Sequence, residues 1–201
     1  ITMKFLINVA CIFLFGISSS FAEKTPEELS STCLGCHGVV SYNNIYPTYK
    51  VPKLGNQHKD YLVAALKAYR SGERSHPTMK AHAADLSDSD IEKIAQYFSS
   101  IKPAETKISS NIEMIDEANS CVGCHGTDGN SIAPTFPKIG GQHQDYLYHA
   151  LKSYKNGSRN NAIMSGIAST LNEKQMKKLA KYFSKHEGIH NVDQGRVASK
   201  N

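Results

Sequence analysis

The sequence predicts an all-α protein made of two tandem copies of one helical unit, and three observations carry that prediction. Segments 85 positions apart repeat: Pro52-Lys53-Leu54-Gly55-Asn56-Gln57-His58 returns as Pro137-Lys138-Ile139-Gly140-Gly141-Gln142-His143, and Asp60-Tyr61-Leu62 as Asp145-Tyr146-Leu147. Apolar residues recur at helical spacing in both copies: Ile91, Ile94, Ala95 and Phe98 match Met176, Leu179, Ala180 and Phe183. The third is a duplicated short motif. Cys33-Leu34-Gly35-Cys36-His37 returns as Cys121-Val122-Gly123-Cys124-His125, 88 positions on.

In chain order, Met3-Lys4, an apolar run from Phe5 to Ile17 and the small residues Ser18 to Ala22 read as a secretory signal peptide, residues 1–22. The run is shorter than the ~20 residues of a spanning helix. Cys11 sits too early in it for a lipoprotein site. Thr25-Pro26-Glu27-Glu28 is a helix start, with Thr as N-cap, Pro in the first turn and Glu three residues on. A short helix then leads into Cys33. In the second copy that role falls to a helix over Asn111–Asn119, with Ile112, Ile115 and Ala118 on its apolar face. Middle helices follow His58 and His143 and close at Gly72 and Gly157. Ser87 with Asp90, and Asn172 with Gln175, cap the last helix of each copy. Pro103 ends the first copy, and Lys102–Glu105 reads as the linker. The expected division is therefore a first domain over 23–103, a second over 104–187, and a loose polar tail over 188–201.

The duplicated motif carries the chemistry. C-x-x-C-H reads as a c-type haem attachment site. Two thiols must add to two vinyl groups of one porphyrin, so they sit about one helical turn apart, and the adjacent His reaches the iron. A zinc site built from Cys-x-x-Cys pairs needs both pairs on one metal, and these are 88 positions apart. A dithiol redox pair does not need His directly after its second Cys. Both copies have that His, and both follow it with Gly (Gly38, Gly126). The sequence thus predicts two covalently bound haem c groups, on Cys33 and Cys36 and on Cys121 and Cys124, with His37 and His125 as proximal ligands. Cys11 is the fifth Cys and lies in the leader, so no pair remains for a structural disulfide. Export fits, because thioether attachment belongs outside the cytoplasm, in the bacterial periplasm.

A sixth ligand is expected unless the iron is meant to bind substrate. Met79 and Met164 occupy matched positions, about 40 residues past each His, and Met opposite His raises the reduction potential. His58, His76, His82 and His143 are the rivals. His76 and His82 flank Met79 but face Asn161 and Ile167 in the second copy, while His58 and His143 match each other as surface or capping residues. The carbonyls of Pro52 and Pro137 are candidates to accept the proximal His Nδ1–H. Asn56 and Gly141 suit a backbone with positive φ. Tyr61, Tyr69 and Tyr97, with partners Tyr146, Tyr154 and Tyr182, recur at helical spacing as packing residues, one or two of them able to reach a haem propionate. Formal charge is +5 in 201 residues, with no arginine-rich segment or lysine run, which argues against a nucleic-acid partner.

From about Glu28 to Phe183 the chain resembles the di-haem class I cytochromes c, cytochrome c4 in particular. The second copy is closest, with CVGCHGTDGNSIAPTFPKIGGQHQDYL followed by Met164. The resemblance implies two tandem class I cytochrome c domains with one covalent haem each, held by His37 with Met79 and by His125 with Met164. It implies a periplasmic electron carrier, not an enzyme in its own right. Its expected donor is a quinol-oxidising complex or a dehydrogenase, and its acceptor a terminal oxidase such as the cbb3 type, with possible peripheral membrane association. The alternative is a cytochrome subunit of an oxidoreductase complex, such as flavocytochrome c sulfide dehydrogenase. The first copy departs from the family pattern: between His37 and Pro52 it has three residues more than the second copy between His125 and Pro137, and the longer loop carries Tyr42, Tyr46 and Tyr49. That loop is expected either to cover the first haem or to receive a partner.

Overall fold

The computed structural model describes residues 23–102 and 112–192. The leader, nearly all of the linker and residues 193–201 lie outside that range. The first copy contains α1 (Pro26–His37), a two-stranded hairpin of β1 (Asn43–Asn44) and β2 (Tyr49–Lys50), α2 (Lys59–Ser71), α3 (Pro77–Ala84) and α4 (Asp88–Ser100). The second contains a 3-10 turn at Asp116–Ala118, then α5 (Asn119–His125), α6 (Gln144–Lys155), α7 (Ala162–Thr170) and α8 (Glu173–Ser184). This is the mostly helical, duplicated architecture expected.

Local chemistry places the helix starts. The Thr25 hydroxyl accepts from Glu28 N–H at 3.2 Å, and the Glu28 carboxylate accepts from Thr25 N–H at 2.8 Å. Ser87 with Asp90 and Asn172 with Gln175 close the same reciprocal box on α4 and α8. Each such cap stabilises its helix by about 1 kcal/mol. Gly72 ends α2 in the left-handed region at φ 91°, a conformation that costs other residues a Cβ clash.

Two apolar clusters form, one per copy. Leu62, Ile94, Ala95 and Phe98 are buried where α1 and α2 pack on α4. Leu147, Met176, Leu179 and Phe183 are buried where α6 packs on α8. Fully burying a side chain of this size stabilises by roughly 1.5–3 kcal/mol. The helix expected over Asn111–Asn119 is not there. Ile112 to Ile115 run without helix into the 3-10 turn, and α5 begins only at Asn119. Ile112, Ile115 and Ala118 still pack on the second cluster, so their apolar spacing recorded burial and not helical pitch.

The copies face each other across an approximate two-fold axis. Lys53 N–H donates to the Gln142 side-chain carbonyl at 3.0 Å, and Gln142 Nε2 donates back to Lys53 O at 3.1 Å. The pair related by that axis does the same: Lys138 N–H to Gln57 at 2.9 Å, and Gln57 Nε2 to Lys138 O at 2.8 Å. Segments 73–75 and 158–160 pair antiparallel beside them, through Ser75 N–H to Ser158 O and Asn160 N–H to Glu73 O.

The loose tail expected from residue 188 does not start there. Residues 188–192 run back across both copies as a strap. Ile189 N–H donates to Gly140 O, and Gly55 and His190 exchange both backbone hydrogen bonds, at 3.1 and 3.2 Å. A Cβ at Gly55 would stand 2.8 Å from the His190 ring and 3.0 Å from its carbonyl oxygen, so a side chain there would push the strap outward. Val192 is 1% exposed and joins the first copy's cluster. Backbone pairing leaves no periodic signature, which is why the segment reads as a polar tail. Val192→Ala is expected to lower the stability of the full chain by about 2 kcal/mol. Urea unfolding checks it; a change within ~0.5 kcal/mol, the range of a surface position, would show that the strap is not part of the core.

Candidate functional site

The last turn of α1 presents Cys33, Cys36 and His37 at i, i+3 and i+4, on one side of the helix. Cys121, Cys124 and His125 stand the same way on α5. Both rings are buried, His37 at 9% and His125 at 7% exposure. His37 Nδ1 donates to Pro52 O at 2.8 Å, and His125 Nδ1 to Pro137 O at 2.9 Å. A carbonyl oxygen can only accept, so Nδ1 carries the proton and Nε2 keeps its lone pair. That is the tautomer in which imidazole binds a metal through Nε2. Burial pushes the His37 pKa down to about 4, against the pull of the Pro52 carbonyl, and lowers that of His125 as well. Both rings are neutral at pH 7. The Cys33 and Cys121 thiols are raised, first by burial.

Met79 and Met164 are the third residues of α3 and α7. Their backbone N–H groups are capped by different side chains: His76 Nδ1 accepts from Met79 N–H at 3.2 Å, and Asn161 Oδ1 from Met164 N–H at 3.0 Å. His76 thus does the work of its matched Asn161. His82 lies on α3 and is exposed. His58 donates from Nε2 to Ser131 O in the other copy at 2.7 Å. His58 and His143 stand at the N-cap positions of α2 and α6, and neither ring caps its helix. The signal for α3 and α7 was present: His76-Pro77 and Asn161 are a cap followed by Pro, and a cap alone. Asn56 and Gly141 do take positive φ, at 66° and 75°.

A cavity of about 620 Å³ runs through both copies. Its wall includes Cys33, Cys36, His37, Pro52 and Met79 from the first copy and Cys121, His125, Pro137 and Met164 from the second, with Cys124 set off it. Most of the remaining wall is apolar or aromatic. Between the copies the wall also carries a buried cluster of two arginines and four tyrosines. Arg74 and Arg159 are 8% and 7% exposed, and both donate to the Tyr146 hydroxyl, at 2.7 and 3.1 Å. Arg74 also lies over the Tyr69 ring at 4.5 Å, and Arg159 over the Tyr154 ring at 5.6 Å. Tyr61 offers its hydroxyl to Arg74 at only 3.4 Å. Burial opposes ionisation of Tyr146, but Arg159 and Arg74 outweigh it and bring its pKa down to about 8.

Among the described residues no carboxylate pairs with either arginine, and Arg74 Nε is buried without a partner. An uncompensated buried cation costs several kcal/mol. The donor set therefore fits a porphyrin on three counts: paired thiols and an Nε2 lone pair at the wall, an apolar cavity beside them, and buried guanidinium groups for the acidic edge. The arginines were legible but overlooked. Arg74 and Arg159 are the one arginine pair that matches at the 85-residue offset. Tyr146→Phe, which takes a shared acceptor from both guanidinium groups, is expected to destabilise the protein by roughly 1.5–3 kcal/mol, and Tyr61→Phe by much less. Urea midpoints of the two variants measure the contrast, and equal losses would contradict it.

A family model described as cytochrome c matches residues 114–187. Cytochrome c-552 of Acidithiobacillus ferridurans is 33% identical to this chain, covering 90% of it and 86% of the relative. The protein named thiosulfate dehydrogenase electron acceptor in Thiomonas intermedia is 24% identical over 92% of both chains. Among solved structures, cytochrome c4 of Acidithiobacillus ferrooxidans superposes with a TM-score of 0.63 at 34% identity, over 78% of this chain and 99% of the other.

Proposed function

The chain belongs to the cytochrome c4 family of di-haem cytochromes c, and on that footing we propose that it is a periplasmic electron carrier binding one haem per copy. In this reading Cys33 and Cys36 hold the first haem and Cys121 and Cys124 the second, through thioether bonds. His37 with Met79, and His125 with Met164, would hold the iron of each haem. The observation that carries it is the duplicated buried imidazole, neutral, with Nδ1 engaged by a proline carbonyl and Nε2 left for a metal. Bound haem c supplies an iron that changes oxidation state by one electron.

The chain's own residues do the rest. Pro52 and Pro137 orient the proximal rings and raise their basicity. The thioether sulfur of each Met favours the reduced metal and raises the potential. Apolar walls keep water from the metal, and Arg74 and Arg159 balance acidic groups in the cavity. The leader-like segment 1–22 and the thioether chemistry support the periplasm. Among the described residues no helix is long and apolar enough to cross a membrane. The expected donor is a quinol-oxidising complex or a dehydrogenase, and the expected acceptor a terminal oxidase such as the cbb3 type. The second reading is a cytochrome subunit or dedicated acceptor of an oxidoreductase complex, of the flavocytochrome type or otherwise. The Thiomonas relative, named for accepting electrons from thiosulfate dehydrogenase, favours it. A dehydrogenase that co-purifies in fixed ratio would decide for it.

Intact mass of the periplasmic protein is expected to exceed the polypeptide by two haems that acid-acetone does not extract. The oxidised protein is expected to show the weak near-infrared band of His–Met iron. Met79→His and Met164→His should each remove half of that band and lower one potential. A mass excess of one haem or none overturns the di-haem reading, and an unchanged band in Met79→Ala moves the ligand role to His82.

A further inference from the structure

The segment that sets the first copy apart is the hairpin. From Gly38 to Tyr49 it carries no charged side chain, in a chain that is 20% charged. Five of the eight exposed large apolar side chains among the described residues fall within it: Val39, Val40, Tyr42, Ile45 and Tyr46. Ile45 is 83% and Tyr46 95% exposed, so the tip is packed under nothing among the described residues. Yet Tyr42, Ile45 and Tyr46 also line the cavity that holds Cys33, His37 and Met79, which places them at its mouth.

The base of the hairpin is clamped. Tyr49 is 5% exposed and stacks on the His149 ring of α6, with centroids 4.1 Å apart. Lys50 N–H donates to Asp145 Oδ2 at 3.0 Å. Within the hairpin, β1 pairs with β2 and Val51 N–H donates to Tyr42 O at 2.8 Å. One face is thus spent on joining the copies, and the other is held out in a fixed pose. A surface held rigid before contact loses little entropy on binding.

We propose that this hairpin is the docking surface for a redox partner protein whose own contact ring is uncharged and apolar, exchanging electrons at the first copy's haem; the proposal rests on the electron-carrier reading above. Charge complementarity selects the occupant. A neutral patch matches a neutral rim, and association between them is not steered by charge. A lipid surface would be met by several Lys or Arg around the tip, whereas the hairpin's one cationic residue is Lys50, at its clamped base. A stable second copy would need about 1,600 Å² of buried surface, more than these few side chains offer. An electron-transfer encounter, which must dissociate after each exchange, sits below ~1,200 Å².

The test compares wild type, Ile45→Ser/Tyr46→Ser and, away from the cavity mouth, Val40→Ser, all haem-loaded. Haem content and the near-infrared band are measured first, so that failure of the underlying reading shows in the wild type alone. Three exchange rates follow: with ascorbate, with host membranes in air, and with the host's soluble periplasmic fraction supplied with thiosulfate. The expected result is unchanged loading, an ascorbate rate within about twofold of wild type, and a loss of about tenfold in one or both protein rates for the double variant, smaller for Val40→Ser. The wild-type rate that is lost should change little between ~20 and ~200 mM NaCl. Protein rates within twofold of wild type overturn the proposal. So does an ascorbate rate that changes in parallel, which would make the hairpin a cover for the cavity. A steep salt dependence, or wild-type co-sedimentation with neutral phosphatidylcholine vesicles that the double variant loses, overturns it in favour of a charged surface or a membrane contact.

Discussion

Everything in this molecule turns on two peptide units, 52–53 and 137–138. The carbonyl of Pro52 accepts from the buried His37 ring, and the next residue, Lys53, exchanges two hydrogen bonds with Gln142 of the other copy. Pro137 and Lys138 repeat the arrangement with His125 and Gln57. The orientation of each imidazole is therefore coupled, through a single peptide, to the packing of the two copies. Gln57 and Gln142 are 5% and 4% exposed, and a buried amide that both donates and accepts across the interface is far more specific than an apolar contact. Neither copy can shift against the other without moving the group that holds its own histidine.

The same axis gathers the charge. Arg74 and Arg159 both donate to Tyr146, and among the described residues no carboxylate pairs with either. In water such a pair would repel weakly; buried, it demands anions, and the porphyrin reading supplies them. The aromatic rings around the guanidinium groups recover part of the desolvation cost through cation–π contact.

Duplication has not left the copies equal. Tyr146 accepts from two arginines while its counterpart Tyr61 makes one long contact. Met79 and Met164 start their helices in the same pose with different caps, a ring nitrogen in one and an amide oxygen in the other. The hairpin of the first copy leans on α6 of the second, and the strap from the second ends in the core of the first. Each copy carries an extension that closes on its neighbour, so the pair behaves as one unit with two distinct faces.

The sequence by itself determined the helical repeat, the capped starts of α1, α4 and α8, the apolar stripes and the attachment motif, because each is a local pattern with a fixed spacing. It pointed to the prolines and to the positive-φ sites Asn56 and Gly141 for the same reason. The apolar residues Ile112, Ile115 and Ala118 were legible as buried, but whether they lay on a helix was not, since burial can mimic periodicity. Only the tertiary structure decided what lies between the copies. The Gln–Lys exchange, the bond from Arg74 to Tyr146, the strap at Gly55 and the stack of Tyr49 on His149 join residues some 70 to 135 positions apart. Contacts of that kind depend on how two finished units meet in space, and no spacing within either unit records it.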